Sequence, residues 1–74
     1  MNKQIDIHNC TIIEAKIKLD NFFDKLTLID KEVSIIHGHS SKILQQYVRK
    51  QYKHKKIQRK ILTMNPGETI IILK

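Results

Sequence analysis

Two short β-branched segments, each running into a histidine and each followed by a helical pattern, set the limits on how this chain can fold. In the first, Ile5 and Ile7 alternate with Asp6 and His8 at the strand period, so the isoleucines take one face and the polar pair the other. The second, Glu32-Val33-Ser34-Ile35-Ile36, is nearly continuous in apolar character, as a buried strand is, and runs into His37-Gly38-His39-Ser40. Between them Ile12, Ala15, Leu19, Phe22, Leu26 and Ile29 recur at intervals of three and four, the stripe of an amphipathic helix. Thr11 and Glu14 form a capping box at its start, the hydroxyl accepting from the amide of Glu14 while the carboxylate reaches back to the amide of Thr11. The pattern predicts a strand from Gln4 to His8, a helix beginning at Thr11 with a core stripe reaching Ile29, and a second strand parallel to the first through a right-handed crossover.

The second half adds one helix and a hairpin. Gly38 opens a turn, Ser40 or Ser41 supplies a cap, and Ile43, Leu44, Tyr47, Val48 and Tyr52 mark the inner face of a helix that ends between Lys53 and Lys56. Ile57 to Leu62 and Thr69 to Leu73 read as strands. Asn65-Pro66-Gly67-Glu68 between them suits a type II turn, with proline and glycine at its two central positions. The order β-α-β-α-β-β in 74 residues predicts one domain, 1–74, of the α+β class: an α/β two-layer sandwich with two helices on one face of a mixed four-stranded sheet. A chain this short buries only about 60% of its unfolded surface, so its core is modest.

Composition removes several classes of function. Cys10 is the sole cysteine, which excludes an internal disulfide, and its expected place is as a small apolar residue under the first helix. No long apolar segment opens the chain, as a secretory signal would, so the expected location is cytoplasmic. The longest apolar run, Ile70 to Leu73, is far short of the roughly 20 residues that cross a bilayer. Tyr47 and Tyr52 fall on the inner helical face and read as core, His39 as a solvated loop residue and His54 as surface.

Charge points to a partner. The net charge is +7, yet the first 32 residues carry five lysines and six acids, whereas Val33 to Gly67 holds eight basic residues and no acid. Those eight are Lys42, Arg49, Lys50, Lys53, Lys55, Lys56, Arg59 and Lys60. A field so one-sided attracts polyanions, and the expected partner is DNA, RNA or the ribosome.

Chemistry is expected where the two parallel strands end, because ligands of open α/β sheets sit beyond the carboxyl ends of the strands. Asp6 and His8 share a face about 6–7 Å apart along the strand. A carboxylate beside an imidazole fixes its tautomer and stabilises its protonated form, as acid–base work near neutral pH requires. His37 arrives from the second strand as the complementary group. Gly38, His39, Ser40 and Ser41 lead into the second helix as a phosphate-binding loop, with Lys42 adding positive potential. Asp6, His8, His37 and His39 also carry donor types that suit a divalent metal such as zinc, manganese or iron; their spacing matches no closed zinc site, so no cofactor is certain and a divalent metal stays open as an alternative.

Ile5-Asp6-Ile7-His8 with Thr11-x-x-Glu14-Ala15, and Val33-x-Ile35-Ile36-His37-Gly38 with Ile43-Leu44 and Val48-Arg49, together resemble the small MutS-related (Smr) domain over essentially the whole chain. That family shows a leucine-aspartate-leucine-histidine-glycine motif and a later histidine- or threonine-glycine-x-glycine motif at about this separation. The resemblance implies a nucleic-acid-binding fold similar to the C-terminal domain of bacterial translation initiation factor three. Some members nick DNA or cut RNA and others only bind. Asp6, His8, His37 and Gly38 match the motif positions, and Arg49 falls where members place a basic residue on the second helix. Two positions depart from the pattern. Asn9 stands in place of the first motif's glycine, where asparagine tolerates a left-handed backbone, and Ser40 replaces the last glycine of the second. The two readings that follow are a nicking endonuclease or ribonuclease using Asp6, His8 and His37, and a non-catalytic module using the basic second helix and the strand after it.

Overall fold

A computed structural model describes residues 3–40 and 42–74. Strands β1 (Lys3–Asp6), β2 (Glu32–Ile36), β3 (Ile57–Leu62) and β4 (Glu68–Leu73) form one sheet in the order β1-β2-β4-β3. β1 and β2 are parallel neighbours, with Ile5 opposite Ile35 and Asp6 opposite Ile36, and β4 runs antiparallel to both β2 and β3. Two right-handed crossovers in the same direction put α1 (Ile12–Asp24) and α2 (Lys42–Gln46) on one face of the sheet. The core lies between the layers, where Ile7, Val33, Ile35, Ile71 and Leu73 meet Ala15, Leu19, Phe23, Leu44 and Val48.

The capping box is formed as the sequence dictates. Thr11 Oγ1 accepts from the Glu14 amide at 3.1 Å, and Glu14 Oε1 accepts from the Thr11 amide at 2.9 Å. Towards its other end α1 departs from the expected stripe. Phe23 rather than Phe22 is fully buried, the helix stops at Asp24, and Ile29 is 86% exposed. The last turn is capped from outside the helix. Lys56 Nζ donates to the carbonyls of Phe23 (2.8 Å), Asp24 (3.2 Å) and Leu26 (2.7 Å), serving groups that a continuing helix would have bonded itself. Thr27 to Asp30 then closes a tight turn, in which Asp30 Oδ2 accepts from the Thr27 amide at 2.8 Å. Lys56→Met is expected to lower stability by about 0.5–1.5 kcal/mol, the net worth of such hydrogen bonds where water and the Leu26 amide still reach the carbonyls; urea unfolding measures it, and an unchanged midpoint would refute the capping role.

After Gln46 the second helix widens into a π-helical turn, Tyr47–Gln51, closed by the Tyr52 amide donating to the Tyr47 carbonyl at 2.7 Å. The wider turn brings residues five apart onto one side. Tyr47 and Tyr52 are therefore both buried, their rings 6.0 Å apart, and Tyr52 donates its hydroxyl to Asp20 Oδ1 at 2.8 Å. Burial, with the Asp20 bond second, pushes the Tyr52 phenol far above its ordinary range. Ile43, expected inside, is 71% exposed. Lys60 Nζ, held on the Tyr52 carbonyl at 2.5 Å, finishes this helix as Lys56 finishes the first.

The β3–β4 connection is a turn of a different type from the one expected. The Glu68 amide donates to the Asn65 carbonyl at 3.2 Å and the Gly67 amide to Asn65 Oδ1 at 2.9 Å, but Gly67 does not have the positive φ that a type II turn needs. Glycine there leaves room for the neighbouring turn. A β-carbon on Gly67 would lie 3.1 Å from His39 Cδ2 and 3.2 Å from the Gly38 carbonyl carbon.

Candidate functional site

β1 and β2 end side by side, and the segments just beyond them form the site. Asp6, the last residue of β1, accepts from the His8 amide at 2.9 Å and lies 2.5 Å from His8 Nδ1, both through Oδ1. The chain then turns at Asn9, whose φ of +65° is the left-handed conformation expected of asparagine in the glycine position, with the Cys10 amide donating to the Ile7 carbonyl at 3.1 Å. The bond to the His8 amide, then the bond to its ring, holds the Asp6 carboxyl below the usual carboxylate range. Both side chains are about half exposed, 49% for Asp6 and 56% for His8. With Nδ1 taken by the carboxylate, His8 Nε2 has no bonded partner among the described residues.

Gly38 presses against this pair. Its φ is +87°, and a β-carbon there would sit 3.3 Å from His8 Cβ, so the Gly38 backbone packs close to the base of the His8 side chain at the junction of the two strand ends. The Gly67 carbonyl fixes the turn by accepting the amides of His37 at 2.8 Å and Gly38 at 3.1 Å. On the sheet face away from the helices, Asp6, Ile36 and Glu68 stand in one row across three strands. Glu68 is held there by the Ser34 hydroxyl, which donates to its Oε2.

His37 is not part of that surface. One step along the strand from Ile36, it points to the helix side and is fully buried. Its Nε2 is 2.9 Å from Thr69 Oγ1, which also accepts from Arg49 Nε at 2.9 Å. The other ring nitrogen, Nδ1, is buried without a partner. A ring with no exposed surface cannot exchange a proton with a substrate, so the expected complementary acid–base role is replaced by a structural one. Burial, helped by the charge of Arg49, holds the His37 imidazole below the ordinary histidine range, which centres near pH 6.5. The folded state thus favours the neutral ring, while the unfolded chain takes up a proton as pH falls through that value. The stabilisation is complete above pH about 6.5 and is lost progressively below it, at a slope of up to about 1.4 kcal/mol per pH unit. Thermal melts between pH 7 and 5 should show this slope, and His37→Gln should flatten it.

The basic residues divide into two sets. Arg49 donates to Thr69 Oγ1 and to the Glu68 carbonyl at 3.0 Å, and Lys56 and Lys60 cap helices, so these three are committed within the fold rather than offered to a polyanion. Lys42, Lys50, Lys53, Lys55 and Arg59 are exposed and carry no internal bond among the described residues. His39 is exposed and lies against Gly67, and Ser40 is exposed. Ser41, the remaining member of the expected loop, lies outside the described residues. Among the described residues no cluster of three or more His, Cys, Asp or Glu side chains is placed to hold a metal, and no helix is long and apolar enough to cross a membrane. His54, expected at the surface, is largely enclosed: it is stacked on Phe23 and lies 2.8 Å from Asp24 through Nε2.

Thr69 and Gly67 were not legible as site residues. A polar side chain at an inward position of the otherwise apolar run Thr69-Ile70-Ile71-Ile72-Leu73 was the one available signal for Thr69, and nothing marked Gly67 beyond its turn.

Residues 5–69 match the family described as Smr domain. This chain belongs to the Smr domain family. The Smr domain of Thermus thermophilus MutS2, seen in a crystal structure, has the same fold with a TM-score of 0.85 and 20% identity; the alignment covers 97% of this chain and 98% of that one. No curated protein matches the chain. The Smr motifs fall where β1 and β2 end, and the departures at Asn9 and Ser40 leave the left-handed turn and the Gly38 contact in place.

Proposed function

We propose that this Smr domain binds nucleic acid and cleaves phosphodiesters with the Asp6–His8 pair. The observation that carries the reading is the half-exposed imidazole held on a carboxylate through Nδ1, against the Gly38 backbone. Asp6 keeps the proton on Nδ1, so Nε2 is the nitrogen that accepts a proton from an attacking water or ribose hydroxyl. His37, Thr69 and Arg49 act one layer below, holding the turn that packs on His8. The exposed cations Lys42, Lys50, Lys53 and Arg59 supply the electrostatic attraction, with log affinity falling against log salt by about 0.9 for each duplex phosphate contacted.

The test is incubation of the purified domain with supercoiled plasmid and with single-stranded RNA, with and without chelator, beside His8→Ala and Asp6→Asn. Loss of cleavage with unchanged binding supports the proposal. Binding without any turnover by the unaltered chain selects the non-catalytic reading, which the burial of His37 favours.

A further inference from the structure

At the pole of the sheet opposite the Asp6–His8 pair, the turn after α1 shows two large apolar side chains to solvent. Leu28 is 87% and Ile29 86% exposed. This turn is not loose. The Asp30 amide donates to the Thr27 carbonyl at 3.0 Å, Asp30 Oδ2 accepts from the Thr27 amide, and the Ile29 amide donates to Thr27 Oγ1 at 3.3 Å. Other large apolar residues are exposed too, Ile13, Ile43 and Met64 among them, but here two neighbours are held outward together on a braced turn and line one cavity.

Beside the turn is an open cavity of about 690 Å³, and Leu26, Leu73 and the stem of Lys56 contribute to its lining together with Leu28 and Ile29. The charges around it decide what it takes. Asp30 is already bonded to Lys3 Nζ at 3.3 Å and to the Thr27 amide, and Lys56 Nζ is committed to three carbonyls. Lys55 and Lys74 on the lining, and Lys31 next to the turn, are exposed and have no counter-ion among the described residues. The rim is therefore positive around an apolar floor. A second copy would bring the same uncompensated lysines face to face, so self-association is opposed.

We propose that this pole is a docking site for an acidic amphipathic protein segment, whose apolar side chains enter the cavity beside Leu28 and Ile29 while its carboxylates meet Lys31, Lys55 and Lys74. The surface is separate from the phosphodiester site and does not depend on it. A domain so arranged is tethered to a protein partner at one pole with its opposite pole left free.

Peptide phage display against the full chain tests this, followed by anisotropy titration of the enriched peptide, labelled, with the unaltered chain and with Leu28→Ser/Ile29→Ser. Both positions are solvent-exposed, so the melting temperature of the variant should be unchanged. The expected result is enrichment of sequences that combine Asp or Glu with large apolar residues, and at least a tenfold loss of affinity in the double variant, with nucleic-acid binding unaltered. Failure to enrich any peptide, enrichment of peptides indifferent to the variant, or a Leu28- and Ile29-dependent dimer in sedimentation would each overturn it.

Discussion

Phe23→Ala is expected to remove about 3–5 kcal/mol of stability, the usual cost of deleting a buried aromatic ring. Phe23 is fully buried, with ring centroids of Phe22 at 5.4 Å, Tyr52 at 5.9 Å and His54 at 5.4 Å. It joins α1 to the end of the second helix and to the chain entering β3. At about 0.05–0.15 kcal/mol per residue, a domain of this length holds roughly 4–11 kcal/mol in total, so one ring accounts for a large share. Urea unfolding followed by circular dichroism gives the value. A change below about 0.5 kcal/mol would show that the core is organised around some other residue.

Removal of the His8 imidazole is expected to slow phosphodiester cleavage by a factor on the order of 10²–10⁴, the contribution of a positioned acid or base. Asp6→Asn should approach the same loss for a different reason, since an amide no longer selects the Nδ1–H tautomer or balances the charge of the protonated ring. Neither change touches an exposed lysine, so affinity and its salt dependence should stay as they were. Cleavage by His8→Ala at the unaltered rate would eliminate the pair as the reactive centre.

Much of the architecture was readable because it is locally encoded. The Thr11–Glu14 box, the β2 run and the β3 boundaries depend on residues within a few positions of one another, and each stands where the spacing puts it. Features set by distant residues were not readable. Phe22 and Phe23 fit the helical period about equally well, and the choice falls to Phe23 because Tyr52 and His54 stack on it. The end of α1 is capped by Lys56, which is more than thirty positions away in the chain, and in the sequence that lysine is indistinguishable from a solvated one. The π-helical turn gives no warning either, since its reason is that two tyrosines must face inward together. At the site, Asp6, His8, Asn9 and Gly38 are brought together as their motifs suggested, whereas His37 lies on the other side of the sheet. Alternation along β2 already implied as much, because Val33, Ile35 and His37 share a parity.

β4, the last strand in the chain, is also an interior one, between β2 and β3. While the protein is being synthesised, β2 and β3 have no common neighbour until Glu68–Leu73 has left the ribosome, and Gly67 and Thr69, which brace the histidine turn, arrive with it. The parallel β1–β2 pair needs no later strand, so the nascent domain completes its sheet, and gains the bonds that fix the histidine turn, only when β4 joins its two halves.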